Sequence, residues 1–198
     1  MKLSEQLIAA SAELSERVMA EMFVDPFWQK KYGGERATKH TRADGDFHVK
    51  YLAEALESED PRVFASYARW LRELLVSHGM CSRHLQENFN RLASAITDKG
   101  WPDHERAVAI LHAGAQALVY RDGAEGHIDH LRLQAQPEGD LDTLLSYLAD
   151  AVAFEQPARF AAYVEFARTL RTSLDVELAA VKRLIAGEAR ALEILEAA

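Results

Sequence analysis

The chain has 198 residues, 48% apolar and 27% charged, with a net charge of −8. That balance fits a folded, soluble protein, and its acidity, with Lys and Arg scattered rather than striped, argues against a nucleic-acid partner. The single cysteine, Cys81, excludes an internal disulfide framework and suits a reducing compartment. Glu5, Glu13 and Glu16 interrupt the N-terminal apolar positions, and no apolar run reaches bilayer-spanning length, so the expectation is a cytoplasmic protein without membrane contact.

Apolar spacing is helical nearly throughout, and no segment alternates as a strand does. In chain order it predicts helices near 3–23, 26–32, 45–58, 61–77 and 82–97, then near 102–121, 125–135, 141–154, 157–173 and 175–196. Asp25-Pro26 and Asp60-Pro61 place a capping carboxylate before a proline at the first helical position, where the missing N–H costs nothing. Asp44 and Asp46 read as residues of a helix start, favoured by the helix dipole, and Gly79 and Gly100 as helix ends.

Displaced by 96 residues, Asp44–Ser77 falls on Asp140–Ser173 without a gap, and 14 of 34 positions are identical. The matches include Asp44/Asp140, Asp46/Asp142, Tyr51/Tyr147, Glu59/Glu155, Phe64/Phe160, Tyr67/Tyr163 and Arg72/Arg168. A gapless match of this length reads as an internal duplication. The expected fold is therefore all-α: an internally duplicated helical bundle, two copies of a four- to five-helix unit. Helical repeat 1 spans 1–98 and repeat 2 spans 99–198, with Asp98–Pro102 as the boundary. Helices 3–23 and 175–196 are able to pack across it, which would give the copies one shared core.

The repeated residues have ordinary structural explanations. Paired carboxylates bind metals or trade protons, but helix capping accounts for the duplicated aspartates. Tyr51, Phe64, Tyr67 and Trp70, with Tyr147, Phe160, Tyr163 and Phe166, form aromatic stripes at helical spacing, first of all core. Arg72 and Arg168 suit an ion pair near the end of the bundle.

The differences between copies point to chemistry. His48 stands where the second copy has Leu144, and His78 where it has Leu174. His84 replaces Ala180, Cys81 replaces Glu177 and His40 replaces Gln136. In a hairpin turning at Asp60-Pro61 these residues gather toward one end of the first copy. Two readings follow. One is a ligand pocket of His48, Tyr51, Tyr67, Trp70, Arg72 and His78, or a metal site of His48, His78 and His84 with Asp44 or Cys81. The other is a set of histidines bonded to backbone carbonyls near helix ends. In the pocket reading, leucine at 48 and 78 should stabilise the fold and abolish binding. His127 and His130 share a helix face near His104 and His112, but no third ligand is fixed, and a solvated helix accounts for them. No motif specifies a cofactor. Glu-x-x-His pairs, a phosphate loop and a nucleophile elbow are absent from the sequence.

The run Asp46–Leu56, continued by Pro61–Arg72, resembles helical segments of bacterial sensory and regulatory proteins, some of which accompany cobalamin-binding domains. The chain lacks the Asp-x-His-x-x-Gly signature of cobalamin ligation, so the resemblance implies a sensory or regulatory helical module and not cobalamin binding. Three functions stand at this stage. The first is a non-enzymatic module binding a small molecule or partner protein through repeat 1. The second is a metal or haem bundle using the repeat 1 histidines. The third is a scaffold that forms homo-oligomers without a ligand.

Overall fold

A computed structural model describes residues 1–32, 34–135, 140–171 and 174–198, with the side chains of 32–42, 135 and 140 left outside the description. Among the described residues the chain forms twelve helices and no strand. They are α1 (Leu3–Ala9), α2 (Ser11–Met22), α3 (Pro26–Tyr32), α4 (Gly34–Glu57), α5 (Pro61–Ser77) and α6 (Ser82–Lys99), followed by α7 (His104–Gln116), α8 (Gly123–Ala135), α9 (Asp140–Ala153), α10 (Pro157–Leu170), α11 (Leu174–Leu184) and α12 (Ala189–Glu196). The all-helical expectation holds, but boundaries differ: α7, expected over 102–121, ends at Gln116, and three other departures are larger. The helix expected over 3–23 breaks at Ala10, and nothing in Ala9-Ala10-Ser11 marks the break. The one expected over 175–196 breaks around Gly187, a poor helix former. The third, α4, begins at Gly34, so Asp44 and Asp46 lie inside it rather than at its start. Asp46 instead accepts a hydrogen bond from Ser11 Oγ at 2.6 Å.

The punctuation read from the sequence is otherwise present. Asp25 Oδ1 accepts from Phe27 N–H and Asp60 Oδ1 from Arg62 N–H, each at 2.9 Å, satisfying N-terminal donors of α3 and α5. The Arg62 guanidinium also holds the Asp60 carboxyl below the usual range. Gly79 and Gly100 adopt φ of 84° and 61° just past α5 and α6.

The described residues gather into two compact units. Unit 1 comprises Met1–Leu71 and Leu85–Leu118, and unit 2 comprises Arg72–His84 and Val119–Ala198. This partition differs from a cut near residue 98: the Asp98–Pro102 stretch lies within unit 1, and the α5–α6 connection belongs to unit 2. In unit 1, Leu7, Leu14, Val49, Leu52, Phe64, Phe89, Ile96 and Leu111 are buried around α4, with α1, α2, α3 and α7 packed on that helix. In unit 2, Ile128, Leu144, Leu145, Leu148, Phe160, Val181 and Ile185 are buried around α9, against α8, α10, α11 and α12. Each such side chain contributes about 1.5–3 kcal/mol on burial, which sets these clusters well above any single polar contact. Gly114 on α7 permits a close approach in unit 1, since a Cβ there would lie 2.5 Å from the Phe64 ring.

The turns joining α4 to α5 and α9 to α10 have the same backbone. Glu59 and Glu155 both take positive φ, 54° and 52°, which L-residues rarely adopt. The next amide closes each turn, Asp60 N–H onto Ala55 O at 3.1 Å and Gln156 N–H onto Ala151 O at 2.9 Å.

Candidate functional site

The aromatic residues of the first hairpin form one cluster in unit 1. Tyr51 on α4 stacks on Tyr67 of α5, with centroids 4.0 Å apart and planes 15° from parallel. Tyr67 also contacts Phe64 and Trp70, at 5.7 and 6.2 Å. His48 lies one turn before Tyr51 on α4, buried, with its ring edge-on to Phe89 at 5.2 Å. Its Nδ1 is 2.7 Å from the Tyr67 hydroxyl. Burial pushes the imidazole down to about 3, so the ring is neutral at physiological pH, and burial likewise raises the Tyr67 phenol. A buried phenol needs a partner, and His48 supplies it.

This arrangement separates the pocket residues expected from the sequence. His48 and Tyr67 are interior. Tyr51 is half-buried, and Trp70 is 57% exposed beside the stack. Phe47, one turn before Tyr51, is 51% exposed with the Lys50 ammonium 5.3 Å above its ring. The cavity touching His48 holds about 10 Å³ and is lined by Ser15, Val18, Gly45, His48, Asn88 and Leu92. Metabolite pockets run to about 300–1,000 Å³, so no organic ligand fits there.

Arg72 and His78 belong to unit 2. The Arg72 guanidinium lies 4.3 Å from the Tyr120 ring centroid and 6.0 Å from that of Phe154. Its counterpart Arg168 approaches Asp175 at 3.8 Å, as the ion-pair reading expects. His78 is exposed rather than on the buried face of α5. Its Nδ1 lies 2.7 Å from Leu74 O and 3.1 Å from Ser77 Oγ. The inward face changes along α5 as the helix passes from one unit to the other: Phe64, Tyr67 and Leu71 are buried, then Val76, while Leu74 is 41% exposed. His84 is buried in unit 2, edge-on to Tyr147 at 5.8 Å, its Nδ1 accepting from Cys81 N–H at 3.5 Å. Burial pushes the Cys81 thiol up to about 12, so it is not a ready thiolate. Among the described residues, no group of three or more His, Cys, Asp and Glu side chains is arranged to hold a metal ion. The side chain of His40 lies outside the described residues, as does that of Asp140.

The polar centre that sequence reasoning missed is in unit 2. Asp150 on α9 is 2% exposed and accepts from Ser82 N–H at 2.7 Å, Ser82 Oγ at 2.6 Å and Tyr120 OH at 2.7 Å. It caps the first turn of α6 from a distant point in the sequence. Burial pushes its carboxyl up to about 6, against these bonds and the Arg72 charge. Alongside, Asp129 accepts from Tyr120 N–H at 2.9 Å and from Arg132 Nε at 2.8 Å. Arg132 also reaches Asp142 at 3.1 Å, and Asp142 pairs with Arg83. The stretch holding His127 and His130 thus turns Ile128, Asp129 and Arg132 inward while His130 is exposed. Asp129 and Arg132 at i,i+3, flanking buried positions, were the one local signal. Asp150 had none, because its partners come from remote elements. Its hydrogen bonds run to one backbone amide and two neutral hydroxyls. Comparison with protein-family models, with curated proteins and with solved structures finds no match to this chain.

Proposed function

We propose that this protein is a non-enzymatic helical interaction module that binds a partner protein through the aromatic face of unit 1, formed by Phe47, Tyr51 and Trp70. The observation that carries this reading is the exposure of Trp70 and Phe47 above a rigid Tyr51–Tyr67 stack. At the matching positions of unit 2, Phe166 is half-buried and Thr143 is buried. Exposed Trp and Tyr on a rigid support are the residues that anchor protein interfaces. The cavity of about 10 Å³ beside His48 disfavours a small organic ligand there. A regulatory role is what the resemblance of the first hairpin implies. In this reading unit 2 is the structural copy of a duplicated hairpin. The stacked pair Tyr147–Tyr163, at 3.8 Å and 11°, and the positive φ of Glu155 support that descent.

The test is site-specific photocrosslinking in the source cell, with the photoreactive residue at position 70 or at Val176, an exposed apolar residue of unit 2. A dominant protein adduct from position 70, absent from position 176 and lost on Phe47→Ala, is the expected result. Equal yields from both positions would sink the proposal. A crosslink to a second copy alone would reassign the face to homo-oligomer formation.

A further inference from the structure

We propose that unit 1 binds one internal water molecule between α2, α4 and α6, held by Ser15, His48 and Asn88. The argument begins with Gly45. A Cβ at this position would lie 2.5 Å from Ser15 Oγ, so only a bare backbone lets α4 close on α2 here. The approach buries Ser15 to 3% exposure. Its hydroxyl has no hydrogen-bond partner among the described residues, although a helical serine can bond back to the preceding turn. A buried hydroxyl left in this state is costly, and proteins meet the need with side chains or internal water.

The surrounding groups fit the second solution. The cavity lined by Ser15, His48 and Asn88 holds about 10 Å³, the room one water needs. Val18 and Leu92 add apolar walls, and Gly45 lines a further side. His48 engages Tyr67 through Nδ1, which leaves Nε2 of the neutral ring with one further bond to make. Asn88 donates to Met22 Sδ at 3.3 Å and keeps its carbonyl oxygen as an acceptor. Ser15, Nε2 of His48 and the Asn88 amide make three polar partners, the usual number for an internal water. A neutral imidazole, a hydroxyl and an amide offer no countercharge, which excludes an ion as occupant. The second copy carries Leu141 and Leu144 where the first has Gly45 and His48, so this seat is particular to unit 1. The water completes a chain of hydrogen bonds from Tyr67 on α5 through His48 on α4 to Ser15 on α2 and Asn88 on α6.

Oxygen-17 magnetic relaxation dispersion on the full chain counts long-lived waters. Ser15→Val replaces the hydroxyl with a methyl and adds a second methyl on the same carbon, filling the cavity, and the dispersion amplitude should fall by the equivalent of about one water with helical circular dichroism unchanged. An amplitude equal to that of the parent chain would overturn the proposal. Should Ser15→Val fail to fold, the pair His48→Leu with Tyr67→Phe removes the imidazole and the phenol it serves, and the same loss or its absence decides the matter.

Discussion

The hairpins α4–α5 and α9–α10 share a backbone turn and a stacked tyrosine pair, yet they satisfy their buried polar groups differently. In unit 1 the hydroxyl of Tyr67 meets His48 within the same hairpin. In unit 2 the position of His48 is Leu144, and Tyr147, at the position of Tyr51, donates to Gly79 O at 2.9 Å. The position of exposed Glu54 is there Asp150, which is buried and ties Ser82 and Tyr120 to α9. At these positions the first hairpin pairs Tyr67 with its own His48, whereas the second ties remote segments to α9. Polar residues at a few inward positions decide between these uses, while the apolar pattern is common to both.

The comparison breaks first in the cores if it is wrong. Phe64 and Phe160 occupy matched positions and both have no exposure. Phe64→Ala and Phe160→Ala should each cost about 3–5 kcal/mol in chemical denaturation, and a cost confined to one would show that the hairpins are not equivalent. Asp150→Ala strands three donors and should cost about 2–3 kcal/mol, whereas Glu54→Ala at the exposed counterpart should stay within about 0.5 kcal/mol. His48→Leu introduces the residue found at the matching position of unit 2, Leu144. The structure reverses the expectation that leucine stabilises here, because it leaves the Tyr67 hydroxyl without its partner. A loss of about 1–2 kcal/mol is expected, largely recovered by adding Tyr67→Phe.

The two polar centres should also respond to pH with opposite sign. His48 titrates near 3 in the fold and near 6.5 when unfolded, so its contribution is full above 6.5 and is lost as pH falls toward 3. Asp150 titrates near 6 in the fold and near 3.8 when unfolded, so its contribution is full below 3.8 and is lost as pH rises through 6. Between these limits the two slopes oppose each other. Asp150→Asn should therefore steepen the loss of stability on acidification, and the pair His48→Leu with Tyr67→Phe should flatten it, both read from denaturation midpoints across about pH 4–7. The smallest effect tests the turns. Glu59→Gly and Glu155→Gly relieve the same positive φ and should each gain about 0.5–1 kcal/mol, equal within error if the turns are alike.

Much of this was legible in the chain. Helical periodicity gave the class, and Asp-Pro and glycine signals gave the ends of α3, α5 and α6, because those signals act within one turn of backbone. The match at a displacement of 96 residues placed the two hairpins and put Tyr51 and Tyr67 in one aromatic stripe. His48 stood out as a polar residue on an apolar face, and burial is where the structure puts it. His78 misleads, since a uniform stripe along α5 would bury it and the inward face changes after Leu71.

The sequence by itself determined the helical class, the capped helix ends and the aromatic positions of the hairpins, since each depends on residues a few positions apart. Only the tertiary structure decided that α5 and α6 divide between two units, that Asp150 caps a helix sixty-eight residues away at Ser82, and that Trp70 remains exposed while Tyr67 is enclosed. Those outcomes depend on which remote groups meet. Burial and the partnering of polar groups are properties of the assembled neighbourhood, which no local pattern encodes.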